Sequence, residues 1–586
     1  MRSHTTIASG DSGKKRRLAF RRAHIPVLLA GLLVAFMVAF LIVPIMRSVS
    51  SGFFADGQLS GYWFVRVITN PILMGELGNA FLVAVLTTAV SLLLSLPLAV
   101  IRTKYSFPGI NILSILVLVP LILPPFVGAI AMKRLLGQFG ILNLILERIG
   151  WIDMTQSLPP DWLGSGFAGV VLLQSLHLFP ILYLNITAAL ANVDPAYHQA
   201  ARNLGASSIK TFFKITFPLI RPGLFAGGTI VFIWSFTDIG TPMIIGYDHL
   251  TAVTIFKELV GAEINPRTFS LVFILLSSSV TLYLMGKFLF GRGFAGDSSK
   301  ATMVAETHRL GVVSTLGAWF LFGGVIFVAV LPHIGVLLLG VADSWINTIL
   351  PESFTLRHLR FVITSPDTMG SIINSLKYAG ISTGIDIVLG SLAAWLIVRA
   401  KVFGGAALDG LCMLPLAVPG LILAAGYVAM TAPGTALEAI GPTQNPFIIL
   451  VIAYSVRRLP FVVRGVSAGL QQLPEALEEA ARNLGASTLT TGLRITVPLI
   501  AANIIAAAVL TFAFHMLEVS DSLILAQTAD YYPITKQIFR LATSTGSPEA
   551  TSQAAAMGIY GILLLGTTMG VASLLLGKRL GMVFRA

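Results

Sequence analysis

A chain of 586 residues that is 55% hydrophobic and 11% charged, with a mean hydropathy of +0.85, carries less than half the charge that wets a soluble domain. An ordinary soluble enzyme and a disordered chain are excluded, and a polytopic membrane protein remains. The formal charge of +13, from 39 basic and 26 acidic residues, therefore asks which loops hold the basic side chains before it asks for nucleic acid.

In chain order, a basic leader (1–24, with Lys14, Lys15, Arg16 and Arg17) precedes an apolar run at 25–46. That run is longer than a signal-peptide core and has no clean small-residue cleavage site behind it, so it reads as a retained anchor. Further runs follow at 77–101, 111–132, 167–190, 223–246 and 270–290. After a Gly-, Ser-, Thr- and charge-rich linker (291–311) they resume at 312–341, 371–398, 406–430, 446–468, 499–527 and 554–576. None shows the ten-residue alternation of a membrane β-barrel. The expectation is an all-α polytopic membrane protein of about twelve spans, six in a first repeat (25–290) and six in a second (312–586). The single cysteine, Cys412, permits no intrachain disulfide.

With the N-terminus inside, 24 Lys and Arg fall in inside loops and 12 in outside loops, which places both termini in the cytoplasm. The halves repeat. Asn79 opens the second span and Asn374 the eighth, while Pro120 and Pro124 return as Pro415 and Pro419 at the same offset of 295. Pro180 returns as Pro460 at offset 280, and residues 200–220 match 480–500 at 14 of 21 positions. Six spans per repeat is even, so both halves enter the membrane in the same sense, as parallel repeats.

The best-matched stretch lies in a cytoplasmic loop. A short amphipathic helix ends at Gly205 or Gly485, where a left-handed turn is cheap, and a second amphipathic stretch leads to Pro218 or Pro498. Such a hairpin would offer small residues, Ala200 and Ala201 or Ala480 and Ala481, to an approaching protein. Glu479-Ala480-Ala481, Gly485, Ile495 and Pro498 resemble the E-A-A…G…I…P pattern of permease subunits in binding-protein-dependent ABC importers. Gln199-Ala200-Ala201, Gly205, Ile215 and Pro218 repeat it, with Gln199 in place of Glu and with Phe217 and Val497 in place of Leu. The resemblance implies the type I importer permease fold, in a bacterial inner membrane. It also implies that the two loops dock on two copies of an ABC ATPase, and that an external binding protein delivers the solute. The chain has no G-x-x-x-x-G-K-[ST], so no cofactor is expected in it, ATP and Mg belonging to the ATPase. Gly164 to Gly169 match G-x-G-x-x-G but no strand precedes them, so they are not read as a dinucleotide site. No catalytic motif appears and no enzyme activity is expected. Nor is any metal-binding cluster or nucleic-acid partner.

Fused permeases of this pattern resemble those for ferric iron, thiamine and 2-aminoethylphosphonate, and ferric iron ranks first; an organophosphonate, thiamine or a polyamine are the alternatives. Trp234 to Pro242 resemble a D-F-G-T stretch of ferric permeases, and Leu517 to Ser522 take the equivalent place. Asp238 and Glu518, at offset 280 and 16–17 residues into their spans, either line the pathway or snorkel to the outer interface. Arg457 and Arg458 fall in the tenth run, where a charge costs roughly 2.5–3.5 kcal/mol. Three readings stand: contact with an anionic solute, a structural pair with Glu518, or a span drawn too long. His177, their first-half counterpart, reads as a packing histidine. A secondary transporter would also have repeats but not the doubled docking segment, and a channel would need a ring of filter groups.

Overall fold

The computed structural model describes residues 25–55, 58–154, 156–261, 265–290, 308–544 and 547–576. The basic leader, the linker at 291–307 and the C-terminal residues 577–586 lie outside the described residues. Among the described residues, eight helices are long and apolar enough to cross a membrane: Ile25–Ser51, Pro71–Lys104, Pro125–Arg148, Phe167–Ala191, Ser208–Phe236, Pro266–Phe288, Val312–Val341 and Pro366–Val398. Two bent pairs, Gly405–Ala417 with Gly420–Met430 and Thr488–Leu499 with Ala501–Met516, raise the number to ten. Phe447–Gln472 and Pro548–Leu576 occupy the repeat positions of Phe167–Ala191 and Pro266–Phe290, and with them the halves each have six. The first of these two carries Arg457, Arg458 and Arg464, which lower its hydropathy.

Two expectations change in detail. The third and ninth spans are broken rather than continuous. Ile110–Leu116 gives way to a tight turn at Val119–Ile122 and then Pro125–Leu136. Gly405–Ala417 and Gly420–Met430 meet at 99°. Prolines 120, 124 and 125, and 415 and 419, supply the cause, since each removes a backbone donor and displaces the preceding turn. The fifth and eleventh spans also stop short, at Phe236 and Met516. Short helices resume at Gly240–Ile245 and Ser520–Leu525, so Asp238 and Glu518 sit in the breaks.

The first helix of each half crosses to the other half. Ile25–Ser51 packs on Gly420–Met430, and Val312–Val341 packs on Pro125–Leu136. Pro44 has no N–H for the carbonyl of Phe40, and the hydroxyl of Tyr427, from the opposite half, donates to that oxygen at 2.6 Å. A Cβ on Gly426 would collide with the Pro44 carbonyl, so only glycine permits this approach. In each half an asparagine at the repeat position ties the second span to the loop after the fifth. Asn79 donates to the His249 carbonyl, and Asn374 to those of Asp530 and Tyr532. Residues Tyr105–Ser106, after the second span, pair in parallel with His308–Arg309 at the end of the linker.

Candidate functional site: two hairpins and a cavity between the halves

Each hairpin is built by local sequence. Pro195–Asn203 starts on Asp194, whose carboxylate accepts from the Ala196 N–H at 2.8 Å. It ends in a Schellman turn in which Ala206 N–H reaches Ala201 O and Gly205 N–H reaches Arg202 O, both at 2.9 Å. Glu475–Asn483 ends identically, through Ala486 to Ala481 and Gly485 to Arg482, both at 3.0 Å. Gly205 and Gly485 have φ of 75° and 92°, and a Cβ on either would meet open space, so conformation and not crowding demands glycine there. The return arm widens into π turns at Phe212–Thr216 and Gly492–Thr496, which absorb Pro218 and Pro498.

The alanines do not both face outward. Gln199, Ala200, Glu479 and Ala480 are exposed, whereas Ala201 and Ala481 are buried against their own hairpins. The expectation that each hairpin exposes both of its alanines is corrected by this packing. Sequence reasoning missed Leu204 and Leu484, 87% and 90% exposed at the turn. Two apolar side chains at matched positions give each hairpin an apolar tip.

Between the halves lies a cavity of about 140 Å³, lined by groups from both repeats at matched positions. Pro124 faces Pro419, Trp234 answers Phe514, and Asp238 answers Glu518. The structure therefore brings all four of Asp238, Glu518, Arg457 and Arg458 to one cavity, with Glu518 buried and Asp238 half-buried. Asp238 accepts from Gln174 Nε2 at 3.0 Å and from the Gly240 N–H at 3.2 Å. Gln174 in turn accepts from Ser235 and from Thr87.

The second half is wired differently. Glu518, 2% exposed, bridges both arginines: Arg458 Nη2 donates to Oε2 at 2.6 Å and Arg457 Nη1 lies 3.0 Å from Oε1. Arg457 Nη1 also reaches Asp521 Oδ2 at 3.4 Å. The Arg458 guanidinium lies 5.2 Å from the Phe514 ring centre and 5.9 Å from that of Trp234, so it also touches the first half. The arginines of the tenth helix are thus paired, as the reading of a structural pair with Glu518 has it. Two guanidiniums meet Glu518 and Asp521, and Asp238 adds a third carboxylate to the surroundings of the cavity. Among the described residues that line it, no unpaired positive charge is left for an anionic solute. Gly420 makes room for Arg457, since a Cβ there would overlap its guanidinium. The first half places Pro125 and His177 at those positions, and His177 Nδ1 lies 2.8 Å from the Pro120 carbonyl. Asp521, Gly420 and Gln174 were missed from sequence; Asp521 was visible one helical turn after Glu518. No group of three or more His, Cys, Asp or Glu that could hold a metal is found among the described residues.

Two parallel membrane repeats with a matched hairpin on each and a polar cavity between them define a transport permease. The chain belongs to the family of binding-protein-dependent transport system inner membrane components, which matches it twice, over residues 68–294 and 386–581. It is an ABC importer permease with both permease units in one chain. A ferric transport system permease of Actinobacillus pleuropneumoniae is 26% identical over 90% of this chain and 75% of its own length. An Fe(3+)-transport system permease of Haemophilus influenzae is 23% identical over 79% of this chain and 83% of its own. A molybdenum transport system permease of Escherichia coli is 32% identical, over 28% of this chain and 69% of its own.

Proposed function

We propose that this chain forms the translocation pathway of an ATP-driven importer of ferric iron. An external binding protein delivers the iron, and two copies of an ATPase subunit, carrying ATP and Mg, dock on the hairpins through Gln199, Ala200, Gly205, Glu479, Ala480 and Gly485. Both termini and both hairpins then face the cytoplasm, and Asp238, Glu518, Arg457 and Arg458 line or shape the pathway. The observation that carries the reading is the charge balance of the cavity. Its arginines are consumed by Glu518 and Asp521, while Asp238 faces them with only dipolar partners, an arrangement suited to passing a cation and poor for an anion. The ferric relatives cover most of the chain, where the molybdenum relative matches one permease unit.

The test is uptake of radiolabelled Fe(III) into vesicles holding the chain with its ATPase and binding protein. ATP-dependent uptake that excess thiamine, 2-aminoethylphosphonate, polyamine or molybdate leaves unchanged is expected. Uptake of one of those solutes in place of iron would overturn the assignment. Orientation is checked separately: a cysteine placed at Ser208 or Ser487 should resist labelling from outside intact cells.

A further inference from the structure

Arg399, at the cytoplasmic end of the eighth span, has a side chain only 8% exposed. Its Nη2 donates to the carbonyls of Leu470 and Leu473, at 2.8 and 2.7 Å, where the tenth span ends. Its Nε lies 3.1 Å from Glu478 Oε2, and its Nη1 is 3.4 Å from Glu475 Oε1. Glu478 and Glu475 both belong to the first helix of the second hairpin. Glu478, buried in turn, accepts from Thr496 Oγ1 at 2.8 Å in the return arm. One guanidinium fork therefore joins the ends of two spans to both arms of one hairpin, a task that a planar five-donor group performs and a single ammonium does not.

The first half keeps the frame and lacks the clasp. Lys104 stands at the position of Arg399, His198 at that of Glu478 and Pro195 at that of Glu475. His198 Nε2 reaches Thr216 Oγ1 at 2.9 Å, the same hydroxyl position that Glu478 uses in the second half. Lys104 has no carboxylate partner among the described residues, and it bears on His198 as a like-charged neighbour. The turn beside Lys104 is instead tied to the linker, through the pairing of Tyr105–Ser106 with His308–Arg309, and to the helix Val312–Val341, through the bond from Trp319 Nε1 to the Pro108 carbonyl.

We propose that Arg399 is a positioning residue for energy coupling. Through Glu478 it makes the second hairpin move as one body with the eighth and tenth spans, so the second half transmits most of the ATPase stroke while the first hairpin follows loosely. The proposal rests on the reading that the hairpins dock the ATPase. The tenth span carries Arg457 and Arg458, so a stroke delivered to its end acts directly on the wall of the cavity.

The experiment isolates the complex through a tag on this chain and measures three quantities: ATPase recovered, ATP hydrolysed, and Fe(III) imported per ATP. Arg399→Gln and the isosteric Glu478→Gln should keep ATPase recovery and hydrolysis within twofold and lower iron per ATP at least fivefold. Arg399→Lys, which keeps the charge without the fork, should recover part of the loss. Lys104→Gln and His198→Gln should change the ratio less than twofold. A role confined to holding the fold would lower recovery or melting temperature and leave the ratio alone, and that result overturns the proposal. So does an equal loss of ratio from the first-half variants. Gly485→Val separates the two layers: if it leaves ATPase recovery unchanged, docking and clasp both fail. If it releases the ATPase while Arg399→Gln couples normally, only the clasp fails.

Discussion

The two halves share their backbone devices and differ in their charges. Asn79 and Asn374, Gly205 and Gly485, Thr216 and Thr496, and the helix breaks at Asp238 and Glu518 do the same work at the same repeat positions. The clusters of buried ionisable groups are concentrated in the second half. There Arg457, Arg458, Glu518 and Asp521 form one cluster. Asp386, joined to His515 at 3.3 Å and to the Ser455 hydroxyl at 2.5 Å, forms another. The first half puts His177, Leu178, Asp238 and Thr241 at the positions of the first cluster, and Ser91, Ser235 and Ser175 at those of the second. A parallel repeat fixes where spans turn and cross. It leaves each copy free to carry its own electrostatics, and here one copy supplies a rigid charged wall and the other a dipolar one.

The largest test of that contrast is Glu518→Gln. It strips the shared carboxylate from two buried guanidiniums, and the loss should be about 3–5 kcal/mol, read as a fall in melting temperature of the purified chain. Asp238→Asn removes a charge whose partners are an amide and a backbone N–H, which an asparagine oxygen still satisfies, so its cost should stay near about 1 kcal/mol. Equal losses would show that the second half is not specially charged.

Gly420→Ala comes next. The new methyl would displace the Arg457 guanidinium from Glu518, at about 1–3 kcal/mol. Adding Arg457→His, the first-half residue, removes the clash and should return part of the stability. Failure of the second change to rescue the first would mean that Gly420 serves the 99° bend rather than the arginine.

Gly485→Val and Gly205→Val each force a β-branched residue into a left-handed turn, costing roughly 1–2 kcal/mol locally. Uptake should fall about tenfold in each with the chain present at its usual level. The loss should be greater for Gly485→Val, whose hairpin presents Glu479 where the other presents Gln199. Equal losses would make the two docking surfaces equivalent.

What the sequence showed of this molecule follows from which residues constrain the backbone. Glycine, proline and asparagine at repeated offsets announced the hairpins and the parallel repeat, because each has a conformational reason to be where it is. The breaks after Phe236 and Met516 were not legible. Mostly apolar side chains run up to Thr237 and Leu517, and hydropathy measures transfer of side chains rather than satisfaction of backbone groups. An interrupted helix is tolerated there because it lines a cavity inside the protein. The arginines were legible as costly, and Glu518, 60 residues further along the chain from Arg458, was legible as one candidate partner, while Asp521 was overlooked beside it. Arg399 was visible only as one more inside charge.

The smallest effect concerns pH. Burial, and then the charges of Lys104 and Arg202, push the His198 imidazole below its ordinary value, whereas the corresponding position in the second hairpin is held by Glu478 and its partner Arg399. As pH falls through about 6.5, an unfolded chain takes up the proton that folded His198 refuses, so folding stability falls with it until the lowered folded value is passed. Melting temperatures of the wild type and His198→Gln should therefore diverge between about pH 7.5 and 5.5, with the wild type losing more on acidification. If the two curves stay parallel, the like-charged surroundings of the first hairpin have no energetic consequence. A curve of the opposite sign would mean that protonated His198 finds an acceptor, and the first hairpin would then own an ionic tie after all.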